Sequence, residues 1–184
     1  AEDIEITVLS CYMDLSAPDE PARLAGVENV KRCLRYAKQV GARMVGSETS
    51  WAALSDEEKA LRRPLMLDSL QRIAEEAVRL DAVFGVEPVA IHPLCSPEIL
   101  AELLQAVDAP NNIFDPVNLF TTKDAQNAAF QAEHWKSWLA VIGKQLGAMH
   151  CKDCRIEPDG TKTLVGLGKG QMDYAPILDW LAQY

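Results

Sequence analysis

The chain has 184 residues, enough for one domain with a sizeable core and too few for two ordinary ones. At 48% hydrophobic and 24% charged it reads as a globular protein, with no apolar run long enough to cross a bilayer. Its formal net charge of −9 argues against a nucleic-acid groove, which needs clustered Lys and Arg to neutralise phosphates.

Residues Ala1 to Glu5 are acidic and lack the basic and apolar regions of a signal peptide. The five cysteines, Cys11, Cys33, Cys95, Cys151 and Cys154, are odd in number and mostly scattered, which suits free thiols. A cytoplasmic location is the expectation from both features. Ile4 to Cys11 is β-rich, and a turn with two prolines leads into a helical stripe of Val27, Val30, Leu34 and Ala37. Gly41 stands where a helix C-terminus belongs, and Arg43 to Gly46 is a second short strand. Ser55 and Glu58 have capping-box spacing, and a longer helix after Pro64 places Met66, Leu70, Ile73, Ala77 and Leu80 on one face. Ala82 to Glu87 is the third strand.

Ser96-Pro97 opens another helix, running to about Val107. Asn112 to Asp115 is a fourth strand, followed by a helix from about Asp124 to Gly143 that buries Phe130, Trp138 and Ile142. Gly147 to His150 is the fifth strand. A turn-rich loop then leads to a last helix, Tyr174 to Ala182. Five repeats of strand and helix mean a parallel sheet covered by helices, in which the C-terminal ends of strands carry chemistry.

Those ends hold Glu48, Glu87, Asp115 and His150, with His92 a little beyond Glu87. An apolar strand that ends in a carboxylate holds that charge in a partly desolvated rim, at a cost of several kcal/mol unless a cation compensates it. Glu87, Asp115 and His150 converging would form a divalent-metal site suited to Mn, Mg or Co, with Zn also fitting. The competing reading is plain: a single Asp or Glu after a strand is more often the N-cap of the next helix.

The segments Val83-Phe-Gly-Val-Glu-Pro88, Ile113-Phe-Asp-Pro-Val-Asn118 and Met149-His-Cys-Lys-Asp153 resemble successive metal-ligand strands of the xylose-isomerase-like sugar phosphate isomerase/epimerase family. Cys11 to Leu15, Val45 to Thr49 and Leu167 to Tyr174 match its pattern too, in the right order over nearly the whole chain. The resemblance implies a (β/α)8 TIM-barrel type, present here as an incomplete barrel of about five βα units without the first two units and the last strand, within a single partial domain, 1–184. It implies a divalent metal on Glu87, Asp115 and His150, with a fourth carboxylate beyond Tyr184. It implies a small-molecule sugar or sugar phosphate as substrate, and proton transfer next to a carbonyl through a metal-stabilised enediolate, with Glu87 as one proton carrier. Family barrels often pair, so a homodimer is one assembly to expect.

Around that centre, Glu48, His92, Lys152 and Asp153 are candidates for substrate binding, each against a structural alternative: a helix cap, a loop histidine or a salt bridge. Asn118 departs from the family's ketose 3-epimerases, some of which place a histidine three residues beyond the aspartate. Trp51 is open to two readings, a pocket wall or a core residue, and His134 reads as structural. Cys151 and Cys154 have the spacing of a redox pair or half a zinc site, but no second pair completes a zinc, and in a strand Cys151 points away from His150. The competing functions are a non-catalytic or truncated barrel that binds a small molecule or partner, an inosose-dehydratase-like lyase with the same metal logic, and an endonuclease IV-like hydrolase. The last needs more histidines than three and a basic groove.

Overall fold

The computed structural model describes residues 4–107 and 110–183. Five parallel strands, β1 (Ile6–Ser10), β2 (Ala42–Ser47), β3 (Phe84–Val86), β4 (Asn111–Phe114) and β5 (Leu146–Met149), lie side by side in chain order. Neighbours in sequence are neighbours in space, and a helical crossover returns the chain each time, so all five C-terminal ends point the same way. The result is an open half-barrel of (β/α) type, the expected incomplete barrel.

Helix α1 (Glu20–Ala37) starts where the Asp19 carboxylate accepts from the Ala22 amide, and it buries Val27, Val30, Leu34 and Ala37, the stripe read from the sequence. Helix α2 (Asp56–Leu80) opens on the Ser55–Glu58 capping box and runs unbroken through Pro64, rather than starting after it. It ends at Asp81, whose φ of 48° is left-handed. Helix α3 (Pro97–Ala106) is capped by Ser96 and buries Ile99, Leu100 and Leu103. These helices pack with β3, β4 and one another into a continuous apolar core that includes Leu70, Ile73, Phe84, Val86 and Phe114.

Three features differ from the sequence reading. The helix expected from about Asp124 is interrupted: α4 (Pro116–Leu119), α5 (Thr122–Gln126) and α6 (Ala128–Ile142) replace it, because Asn127 takes the amides of Ala129 and Phe130 and starts a new helix. Phe130 therefore lies in a first turn and is 42% exposed, not buried; Trp135 and Trp138 fill the core instead. The turn-rich segment after β5 is ordered as an antiparallel hairpin, β6 (Asp153–Ile156) and β7 (Lys162–Val165), turned by Pro158-Asp-Gly160 with Gly160 at φ 86°. The Lys162 ammonium donates to the Val117 carbonyl at 2.7 Å and ties this hairpin to α4. Burial depresses the Lys162 pKa.

Helix α7 (Ala175–Leu181) closes the described chain and buries Ile177. Among the described residues, no helix is long and apolar enough to cross a membrane.

Candidate metal centre

Each of the five strands delivers one polar residue to the rim just past its C-terminal end: Tyr12, Glu48, Glu87, Asp115 and His150. Register places them. The Glu87 amide donates to the Ser47 carbonyl at 2.9 Å and the His150 amide to the Phe114 carbonyl at 3.0 Å, so the ladder continues one step beyond the strands. The three residues at the ends of β3, β4 and β5 meet. One ligand atom from each of Glu87, Asp115 and His150 lies within 4.8 Å of the others. His150 Nδ1 stands 3.6 Å from Glu87 Oε1 and 3.5 Å from Asp115 Oδ2.

Asp115 satisfies both readings of a carboxylate after a strand. Its Oδ1 caps α4, accepting from the Val117 amide at 3.1 Å and the Asn118 amide at 3.4 Å. Its Oδ2 faces His150. Glu87 is 1% exposed and Asp115 0%, so two carboxylates share a nearly dry rim. Burial pushes the Glu87 pKa up, and the neighbouring Asp115 adds to the rise, while His150 opposes it. Glu87 is gripped at both oxygens by neutral donors: Asn118 Nδ2 gives to Oε1 at 2.7 Å and the Tyr12 hydroxyl to Oε2 at 3.3 Å. Burial raises the Tyr12 pKa, keeping it a donor.

Lys152 reaches the cluster, its Nζ 2.5 Å from Asp115 Oδ2. Burial works against its charge, but the Asp115 carboxylate outweighs that and the ammonium pKa is raised. Glu48 stands at the edge of the group, its pKa raised by burial first and by Glu87 second. His92 is buried beside it, Nδ1 3.7 Å from Glu48 Oε2 and without a hydrogen-bond partner; burial lowers its pKa.

Asp153 belongs elsewhere. Its buried carboxylate accepts the backbone amides of Cys154 at 2.8 Å, Gly170 at 2.8 Å and Met172 at 3.2 Å. It thereby pins the 168–172 loop to β6. Trp51 is 70% exposed, which rules out the core reading, and its indole donates to the Tyr12 carbonyl at 3.1 Å. His134 is structural: its ring joins Asp124 Oδ1 at 2.9 Å and the Trp138 indole at 3.1 Å. Cys151 is exposed and Cys154 buried, both as free thiols. Tyr12 and Asn118 were not singled out as partners of Glu87 from the sequence. The strand-end position of Tyr12 is the available signal; for Asn118 it is the place three residues beyond Asp115, which marks the position but not its bond to Glu87.

The donor set fits a divalent cation. Atoms about 2.1 Å from one ion lie roughly 3–4 Å from each other, the spacing His150 Nδ1 keeps to both carboxylates. That nitrogen is buried and has no hydrogen-bond partner, and it is aimed between two acidic oxygens. Two carboxylates and one imidazole suit Mg, Mn, Co or Zn.

A family model described as a xylose isomerase-like TIM barrel matches residues 1–184. No curated protein matches by sequence. Among solved structures, the chain is similar to a 3-keto-D-glucoside 4-epimerase from E. coli (TM-score 0.74, 18% identity, covering 98% of this chain and 68% of that one). It is similar to a D-tagatose 3-epimerase-like protein (TM-score 0.75, 18% identity, 98% and 67%). A third is a xylose isomerase-like TIM barrel protein from Mycobacterium smegmatis in complex with magnesium (TM-score 0.70, 16% identity, 97% and 63%). The chain spans about two thirds of the length of these relatives, and at such identities the likeness is one of fold.

Proposed function

Since the chain belongs to the xylose isomerase-like TIM barrel family, we propose that it forms the metal-holding part of a sugar, or sugar phosphate, isomerase or epimerase that moves a proton next to a carbonyl. The observation that carries this reading is the meeting of Glu87, Asp115 and His150 at three adjacent strand ends, ligand atoms within 4.8 Å. The sugar epimerases among its structural relatives support the substrate class.

Glu87, Asp115 and His150 would hold the ion. When bound, a divalent cation supplies positive charge where the carbonyl oxygen turns anionic, which favours the transition state over the ground state. The protein's own groups do the rest. Glu87 takes the proton from the carbon beside the carbonyl, its carboxylate held in place by Tyr12 and Asn118. Glu48 and His92, next to each other at the rim, accept or donate to substrate hydroxyls. Lys152 pairs with Asp115 and turns its ammonium toward substrate oxygen. The buried floor of the rim keeps water from the carboxylates.

The test is Mn²⁺ titration by calorimetry on this chain and on Glu87→Gln, Asp115→Asn and His150→Ala, with deuterium uptake from D₂O into a panel of ketoses read by NMR. Binding by the parent is expected, with affinity weakened but still measurable in each variant through the ligands that remain. A parent chain that binds no divalent ion removes the enzymatic reading.

One observation favours a second reading. The Lys152 ammonium at 2.5 Å from Asp115 already compensates one buried carboxylate, which suits a half-barrel that binds a small polar molecule without metal. Saturable sugar binding unaffected by EDTA would select it.

A further inference from the structure

Asn118 touches both acidic residues of the centre at once. Its backbone amide donates to Asp115 Oδ1 at 3.4 Å, and its side-chain amide donates to Glu87 Oε1 at 2.7 Å. Its carbonyl accepts from the Ala90 amide at 3.2 Å, which ties α4 to the loop that follows Glu87. The atom it grips on Glu87 is the same oxygen that stands 3.6 Å from His150 Nδ1. The other Glu87 oxygen is held more loosely, by Tyr12 at 3.3 Å.

We infer that Asn118 is a positioning residue: it sets the rotation of the Glu87 carboxylate, and so decides which Glu87 oxygen meets Asp115 and His150. The reasoning is physical. A glutamate ends in a torsion with a broad, roughly two-fold profile, so nothing local fixes its carboxylate plane. Two carboxylates in a dry rim repel, and repulsion alone would turn Glu87 away from Asp115. A neutral N–H donor at 2.7 Å opposes that rotation without adding charge, and leaves Oε1 a free lone pair for a cation. Because α4 is capped by Asp115, the donor and the second carboxylate move as one unit, and the spacing between the two acids is set through Asn118. This rests on the metal-site reading above for its use, but the geometric claim concerns Glu87 alone.

The experiment is a double-mutant cycle. Asn118→Leu keeps the size and removes the donor; Asn118→Ala serves should Leu not fold. Each is made in the parent and in Glu87→Ala, which removes the oxygen that Asn118 holds, and Mn²⁺ affinity is measured by calorimetry alongside urea melts. Outer-shell partners of ligands typically contribute about 10–100-fold to metal affinity. We expect a loss of that order in the parent and less than about twofold in the residual binding of the Glu87→Ala background, because Asn118 acts through Glu87. An equal loss in both backgrounds means a merely structural residue and overturns the inference; so does no loss in either. Should the parent bind no Mn²⁺, the metal reading fails on its own, and a crystal structure of Asn118→Leu decides the positioning claim. The Glu87 carboxylate is then expected to rotate out of its 3.6 Å approach to His150. A carboxylate left in place sinks the inference.

Discussion

Replacing Asp153 by Ala separates a fold-holding carboxylate from a substrate-binding one, and the structure sets the size of the effect. Asp153 is buried and accepts three backbone amides, those of Cys154, Gly170 and Met172. Hydrogen bonds to a charged group contribute about 1.5–3 kcal/mol each, but three to one carboxylate are not additive. Gly170 and Met172 are only partly buried, so water recovers part of the loss at their amides, whereas Cys154 is fully buried. An overall cost of about 3 kcal/mol follows, at the upper end of ordinary substitutions. Gly170 corroborates the tightness: a Cβ added there would collide with the Asp153 carboxylate and the Cys154 carbonyl, so Gly170→Ala should destabilise as well. The assay is urea unfolding at several pH values. Burial raises the Asp153 pKa, but the amides of Gly170, Met172 and Cys154 outweigh it, and the net pKa is lowered. A depressed folded pKa gives stability that is present above the unfolded value of about 3.9 and is lost as pH falls through the folded value. The gap between parent and Asp153→Ala should therefore be widest near neutrality and narrow in acid. A variant within about 0.5 kcal/mol of the parent at pH 7, or a gap that does not change with pH, refutes the assignment.

Glu76 is held down at about 2 by Arg79 first and by Arg35. Its contribution is in place above the unfolded carboxylate range and fades as pH drops from about 4.5 toward 2, so Glu76→Gln should flatten that part of the acid-unfolding curve, more so at low salt. The Trp138 indole donating into His134 Nε2 leaves the ring proton on Nδ1, facing Asp124; ¹⁵N NMR should find that tautomer, and the opposite one would contradict the network. Leu100→Ala, in the core under α3, should cost about 2–5 kcal/mol in a urea melt and leave Mn²⁺ affinity within twofold; a coupled loss of both would mean that the centre depends on helix packing.

What sequence alone could show of this molecule follows the range of the interactions involved. The strands and main helices were legible because they rest on local periodicity and caps: the Val27–Ala37 stripe, the Ser55–Glu58 box and the Ser96-Pro97 start all appear as read. The break at Asn127 was missed although Asn is a strong N-cap, because the apolar pattern continues across it and Phe130 looks like a core residue. The β6–β7 hairpin was missed because its strands are short and β7 is largely exposed, which left no apolar run to detect. The Pro158-Asp-Gly160 turn is legible in the sequence, but without apolar strands on either side it reads as a loop turn and not as a hairpin. The bonds from Tyr12 and Asn118 to Glu87 join residues 75 and 31 positions apart. No local pattern reports on them.

At Asp115, cap and ligand are not alternatives. A carboxylate has two oxygens with separate lone pairs, and a strand that ends at the mouth of the sheet, followed at once by a helix, aims them in different directions. Oδ1 satisfies the free amides of Val117 and Asn118, and the energy of that cap fixes the side chain in one rotation. Oδ2 is then held out toward His150 and Lys152 without further support. The cap is what makes the second oxygen available, since an uncapped aspartate would be free to turn into solvent. The bland reading and the chemical one are thus the same observation on two atoms. Glu87, which has no helix to cap, needs the amide of Asn118 to do for it what the α4 backbone does for Asp115.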